Sequence, residues 1–365
     1  MNLHESHATW KAHAPKLAEE YGIVFPDAVG YATDDLKRNY TIAMDAQPAL
    51  TTAVNSGIPA MLTTYIDPQI IEIAFAPLEA ANILGEEKKG DWLTETAMFP
   101  VVEHTGEVTS YGDFNQTGSA GLNMNWPQRQ SYHWQIMVRY GEREVERAGL
   151  ARINFVSQLN KAAADILNRY GNFVYFFGVN GLQNYGLLND PALPASLTPG
   201  TKAAGGGNVW ITSAGAINAT ANEVYADIQA LFYALATQTS GLIKENDQLT
   251  LALSPASSIA LTITNSYGVD VKALLKQNFP NIKVVTAVQY AAKSTQNPEG
   301  VASGNFAQLI AGTVDGVDTG KCVFTEKLRA HRLVPDTSSW KQKTSSGSFG
   351  AVIKRPLAFS SIVGI

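Results

Sequence analysis

Apolar residues recur at three- and four-residue spacing from Ala148 through Ala151, Phe155, Leu159, Ala162 and Ile166 to Tyr170. Glu144, Glu146, Arg147, Arg152, Lys161 and Arg169 occupy the other face. That pattern predicts one amphipathic helix over residues 142–170, about 43 Å long at 1.5 Å per residue. Gly149 predicts a bend, because glycine inside a helix costs about 1 kcal/mol against alanine. Gly171 predicts the stop, and the aromatic run FVYFF (173–177) predicts a buried strand behind it.

Upstream the pattern is weaker. Residues 1–60 are mixed and weakly periodic, with a short helix broken at Pro15, and read as an arm that needs a partner surface. Residues 66–85 are apolar, with a short helix after Asp67-Pro68, and close on GEEKKGD, which reads as a solvated turn. Between residues 91 and 140 two strand-like pieces, Thr94–His104 and Ser131–Tyr140, bracket a polar stretch rich in Gly, Asn and Gln. Too few apolar residues stand there to build a core. A lone two-stranded hairpin is marginal in water, and its open edges invite pairing with another chain.

Downstream, residues 209–288 turn α/β. Thr220 and Glu223 form a capping box, and Val224, Ile228, Leu231, Phe232 and Leu235 share one face of the helix behind it. Leu249, Leu251 and Leu253 alternate as a strand. Ser254-Pro255 opens a further helix, VDVKALLKQN reads as a helix and IKVVTAV as a buried strand. Residues 291–320 are polar and Gly-rich. Three strand-like pieces close the chain: CVFTEKLRAHRL, SFGAVIKRP and LAFSSIVG.

Composition narrows the function. A chain of 365 residues is long enough for two or three lobes at about 100–200 residues each. Its charged fraction, 16%, is low against a typical level of about 25% and leans toward a subunit that hides surface against other chains. Net charge is −5, and no run of Lys or Arg exceeds two, which argues against a dedicated nucleic-acid binder. The single cysteine, Cys322, excludes an internal disulfide or a cysteine zinc cluster and fits a reducing cytoplasm. The N-terminus carries no signal-peptide stretch, and no apolar run reaches the roughly 18 residues that span a membrane.

Catalytic motifs fail one by one. FFGVNGLQNYGLLNDP (176–191) is Gly-rich, but Gly186 is followed by Leu187 and Leu188 where a P-loop has Lys and Ser or Thr, and no lysine lies within it. A tight turn in which glycine supplies positive φ accounts for it better. VDGVDTGKC (314–322) has Asp315 and Cys322 where that motif needs Gly and Ser or Thr. His4, His7 and His13 share no helix face across Pro15. His104 and His133 sit one in each arm of the expected hairpin, where they could face each other, although most such histidines are ordinary surface or strand residues. Ser338 to Lys341 matches SxxK in a polar loop, and no GxSxG occurs. Cys322 lies in an apolar strand and reads as a buried small hydrophobe. No catalytic, cofactor or metal site is therefore expected.

A loose arm, a hairpin without a core, one long helix and an α/β lobe describe a subunit built to interlock. The order resembles the major capsid proteins of tailed bacteriophages with the Hong Kong 97-like fold. The resemblance rests on RYGEREVERAGL (139–150), FFGVNGLQNYGLLNDP and GAVIKRPLAFSSIVGI. It implies an α+β fold with an N-terminal arm (1–65), a linker and E-loop hairpin (66–140, the loop from about 90), a P domain with a long spine helix (141–205), an A domain (206–318) and returning P-domain strands (319–365). It implies a coat protein that self-assembles as pentamers and hexamers into an icosahedral shell around double-stranded DNA held without sequence-specific contacts. Scaffolding, portal and decoration proteins are the implied partners, with no membrane. The implied location is the virion capsid, assembled in the bacterial host cytoplasm. The short arm leaves little room for a cleaved scaffolding segment, so a separate scaffold is expected. Lys88 and Lys89 lie at the foot of the hairpin, so the lysine crosslink of some relatives is not carried over. Glu86, Glu87, Lys88, Lys89, Arg143 and Arg147 are the expected inter-subunit charge contacts. Two other readings stand beside it: an encapsulin-type nanocompartment shell, and a soluble α/β enzyme centred on residues 206–318.

Overall fold

The computed structural model describes residues 77–150, 154–203, 207–212, 214–295 and 297–365. The expected arm, with His4, His7 and His13, lies outside them. The described chain opens with a short helix, α1 (Ala80–Leu84), buried through Ala80, Ile83 and Leu84. β1 (Glu86–Lys88) follows. The charged run GEEKKGD is thus not a free turn: Glu86, Glu87 and Lys88 pair in parallel with Cys322, Val323 and Phe324. An edge strand keeps one side in water, so it tolerates charge that a central strand would not.

β2 (Thr96–Met98), β3 (Val101–Glu107), β4 (Ser119–Asn125) and β5 (Gln128–Gln130) make one hairpin in two stages. β2 pairs with β5, and β3 with β4. Pro100 and Pro127 stand at the break in the ladder, where a residue without an N–H interrupts pairing. The two arms expected from sequence form no ladder with each other and meet at their base, where the Ser131 amide donates to the Glu95 carbonyl at 2.8 Å. β6 (Tyr132–Gly141) runs instead beside residues 339–348. It belongs there because one of its faces has something to pack on: Val138 is 5% exposed, and the Trp134 indole donates to the Leu167 carbonyl at 3.3 Å.

The predicted single helix is two. α2 (Glu142–Leu150) buries no residue. α3 (Phe155–Phe177) begins at Asn154, whose side chain accepts from the Ser157 amide at 3.2 Å. Its buried row is Ala163, Leu167, Gly171 and Val174, one position round from the predicted stripe, and Ile166 is 53% exposed. Gly171 does not stop the helix. It lets the Trp134 ring lie against the backbone, 3.4 Å from where a Cβ would stand. The expected strand FVYFF is therefore the last turn and a half of α3, which ends at Gly178 with φ +62.

The second half holds the core. α4 (Ala221–Gln238) carries the predicted capping box, with the Thr220 amide donating to Glu223 Oε2 at 2.8 Å. β7 (Leu249–Leu253), α5 (Pro255–Ile259), α6 (Val271–Asn278) and β8 (Ile282–Thr286) match their sequence patterns. β9 (Phe306–Ala311) does not: it is buried at all six positions inside a stretch that reads as polar. A two-strand ribbon follows, β10 (Thr313–Val314) and β11 (Val317–Asp318). The closing strands are β12 (Gly320–Ala330), β13 (Val334–Pro335), β14 (Ser339–Ile353) and β15 (Phe359–Val363).

They complete two sheets. One runs β15-β9-β7-β8; the other runs β1-β12-β14-β13, with β6 along the free side of β14. One apolar cluster joins them, from Ala80 and Cys322 through Leu235 and Leu251 to Ile362. The fold is mixed α+β. Cys322 is fully buried, and burial pushes its thiol well above the ordinary value, so it acts as a small hydrophobe.

Candidate interaction surface

Among the described residues no three His, Cys, Asp or Glu side chains gather as metal ligands, and no helix is long and apolar enough to cross a membrane. The conspicuous surface is the hairpin. β3 and β4 are exposed at every position. Register pairs Val102 with Met124, His104 with Leu122 and Gly106 with Ala120 on one face. The other face carries Glu103, Thr105 and Glu107 opposite Asn123, Gly121 and Ser119. One face is mainly apolar and the other polar with two carboxylates, as alternation along a strand allows, yet among the described residues none covers the apolar face. Val102, Leu122 and Met124 are 46%, 54% and 53% exposed. Covering them is worth about 1 kcal/mol each, roughly half of a full side-chain burial. At the tip Val108, Tyr111 and Phe114 are almost wholly exposed.

The base of the hairpin, by contrast, is fixed. Arg129 donates to Asp190 Oδ2 at 2.7 Å, and the Asp190 side chain is completely buried. The same guanidinium lies over Tyr185, 4.8 Å from the ring centre. Gln183 donates its amide to Gln130 Oε1 at 3.0 Å, and Asn184 Nδ2 bridges the carbonyls of Gln130 and Ser348 at 3.0 Å each. Gln183, Asn184, Tyr185 and Asp190 all belong to FFGVNGLQNYGLLNDP. The loop clamps the hairpin to the sheet, and no Lys or Arg lines the recess beside it. Its Gly178 and Gly186 are demanded by packing: a Cβ on Gly178 would overlap the Asn184 carbonyl, and one on Gly186 the backbone of Phe176.

Trp92, where the chain enters the hairpin, forms a second clamp. It lies edge-on to His133 at 4.7 Å and to His331 at 5.7 Å, with Arg329 over its ring at 5.1 Å. His133 is therefore not opposite His104, which pairs with Leu122. It lies on the β14 backbone at Gly347. Burial holds its imidazole below the ordinary histidine value, against the pull of Glu326 and Glu95.

The six charges expected at contacts fall in two places. Glu86, Glu87, Lys88 and Lys89 share the β1 edge at the foot of the hairpin. Glu86 pairs with Lys327, Glu87 with Lys89 at 3.5 Å and Lys354 at 3.9 Å, and Lys89 lies 5.4 Å from the centre of the Phe99 ring. Lys88 is exposed. Arg143 and Arg147 are exposed on α2, a separate element.

Sequence reasoning missed the Arg129–Asp190 clamp and the open face of the β6–β14 sheet. On that face Arg139 stands directly opposite Lys341, and Met137 opposite Lys343. Arg129 left one signal: it is the only Lys or Arg between Lys89 and Arg139.

The chain matches the Pa193 gp26 major capsid protein family over residues 49–364. No curated protein matches it. Among solved structures it is similar to the capsid of Myoviridae phage XM1, at 16% identity and TM-score 0.68, covering 85% of this chain and all of that one. It is similar to a Mycobacterium phage Ogopogo chain at 13% identity and TM-score 0.53, covering 86% and 99%. It is also similar to the capsid of an empty GTA particle at 13% identity and TM-score 0.52, covering 85% and 99%.

Proposed function

The chain belongs to the Pa193 gp26 major capsid protein family, a structural family of phage coats and not an enzyme family, and on that premise we propose how it builds a shell. Copies assemble as pentamers and hexamers into an icosahedral capsid that encloses the double-stranded DNA of a tailed phage. The observation that carries this reading is the hairpin: fixed at its base, two-faced along its length, and with an apolar face that the described residues leave bare. A contact surface made in advance of its partner is what a self-assembling subunit needs.

In the terms of the Hong Kong 97-like fold, the hairpin is the E-loop within residues 66–140, and α3 is the spine helix. Residues 1–65 are the arm, 141–205 and 319–365 the P domain, and 206–318 the A domain. The net charge of −5 suits a wall that confines DNA without gripping it, with no sequence-specific contact and no catalysis. Scaffolding, portal and decoration proteins are the further partners, and assembly takes place in the host cytoplasm. Glu86, Glu87, Lys88, Lys89, Arg143 and Arg147 are candidate charge contacts between subunits. Glu86, Glu87 and Lys89 would share their present partners, so each contributes at most about 1 kcal/mol.

The test is light scattering with negative-stain microscopy on the protein expressed alone and with its neighbouring phage genes. Closed shells, pentamers or hexamers are expected. A stable monomer under both conditions contradicts the reading. If an Arg143→Glu, Arg147→Glu variant assembles like the parent, α2 is not part of the interface.

A further inference from the structure

The chain contains one Asn-Gly pair, Asn180-Gly181. It sits in the loop that clamps the hairpin, at the centre of a turn over residues 179–182, where the Leu182 amide donates to the Val179 carbonyl at 3.4 Å. Both residues are exposed and line the open recess beside Gln130. Gly181 has φ +86, and no atom lies within 4 Å of where its Cβ would stand. Without a Cβ, nothing on Gly181 itself shields its amide nitrogen from the Asn180 side chain.

Other asparagines are held. Asn184 Nδ2 donates to the carbonyls of Gln130 and Ser348. Asn189 accepts from the Gly186 amide and donates to the Phe177 carbonyl. Asn265, which precedes Ser266, accepts from the amides of Tyr267 and Val269 at 3.0 Å each. Among the described residues, neither the Asn180 side chain nor the Gly181 amide has a hydrogen-bond partner.

We propose that Asn180 is a site of spontaneous deamidation that slackens the loop's hold on the hairpin. The Gly181 amide nitrogen gives up its proton and attacks Cγ of Asn180. The carboxamide nitrogen takes up a proton and leaves as ammonia, and a succinimide ring remains. Water then opens the ring at either carbonyl, giving aspartate at one and isoaspartate at the other. Asparagine plus water thus becomes acid plus ammonia, with no oxidant or reductant. Isoaspartate carries the chain through Cγ and adds one carbon to the backbone between residues 180 and 181. The loop has no slack for it. The Val179 amide donates to the Asn184 carbonyl at 3.0 Å, and that carbonyl lies so close to Gly178 that a Cβ there would overlap it. Gln183 and Asn184 hold Gln130 from the same short span. A longer turn cannot keep all of these contacts. Aspartate, the other product, brings a negative charge to a recess that no Lys or Arg lines.

The test stores the protein expressed alone and samples it over time. Each sample is digested at acid pH, so that no amide is lost in handling, and mapped by mass spectrometry. Isoaspartate is counted by methyl transfer from S-adenosylmethionine with an isoaspartyl methyltransferase. Amide loss at Asn180 is expected ahead of every other described asparagine, faster as pH rises because the attacking nitrogen must lose its proton, and with isoaspartate among the products. Hydrogen exchange at residues 128–131 and 182–185 is expected to quicken in the aged parent and to stay at its fresh value in an equally aged Asn180→Gln variant, whose longer side chain closes the ring poorly. An amide that survives at Asn180 in the folded protein after the same chain in urea has lost it overturns the proposal. So does loss at Asn184, Asn189 or Asn265 first. Exchange that is unchanged once Asn180 is fully converted overturns the slackening. The reaction stands apart from the shell reading, so a chain that forms no particles tests it equally.

Discussion

Gly186→Ala leaves no stably folded subunit. The methyl group would overlap the Phe176 carbonyl and the Phe177 amide nitrogen, and those atoms are backbone in the last turn of α3, so no rotamer change relieves them. Moving the loop away breaks the bonds on either side, Leu187 amide to Tyr175 carbonyl at 2.8 Å and Leu188 amide to Phe176 carbonyl at 3.0 Å. It also draws Leu187, which has no exposed surface, out of the core. Losses of this kind add to on the order of 4 kcal/mol or more, the range reached only when packing or backbone is forced. The expected result is aggregation on expression and no cooperative urea transition. A midpoint equal to the parent's would show that the loop tolerates a shift the packing forbids.

The second large effect is at the hairpin's foot. Arg129→Ala strands a carboxylate that has no exposed surface and keeps, among the described residues, only the Ala192 amide, at 2.9 Å, as a partner. Removing one member of a buried ion pair costs about 3–5 kcal/mol, whereas replacing both by apolar groups is near neutral. The single variant is therefore expected to lower the urea unfolding free energy by about 3 kcal/mol, and Arg129→Met with Asp190→Leu to recover most of it. Because Arg129 lies in β5, the single variant also loosens the register of the hairpin and lowers shell yield. Equal stability of the single and double variants would mean that Asp190 reaches water or another cation.

The elements that could be read from sequence were those whose signal is local. The Thr220–Glu223 box works within one turn of chain, and so does the serine cap before Pro255. Cys322 among apolar neighbours reads as core without knowledge of its partners. What could not be read depended on a distant partner. Gly171 carries the composition of a helix stop, but Trp134 across the sheet gives it a different use. FVYFF has strand propensity, and the helix continues through it because Val174, Tyr175 and Phe176 are buried on that path, tertiary burial outweighing a preference of at most about 1 kcal/mol. β4 was invisible because SAGLNMN has only Leu122 and Met124 to show alternation, and its partner is an equally exposed strand. The basic sheet face was hidden for the same reason: Arg139, Lys341 and Lys343 meet only through the β6–β14 register. The interlocking character of the chain was nonetheless legible, since a polar hairpin too poor in apolar residues to build a core points outward to another chain.

The central claim is that the hairpin is finished by a neighbour, and amide hydrogen exchange measures it directly. In dissociated subunits the β3–β4 amides are expected to exchange rapidly, since a two-stranded hairpin with both faces in water is marginal, while β7 and β9 in the core stay protected. In assembled particles residues 101–107 and 119–125 become protected. Protection of those residues that is the same in the free subunit and in the particle would contradict the account.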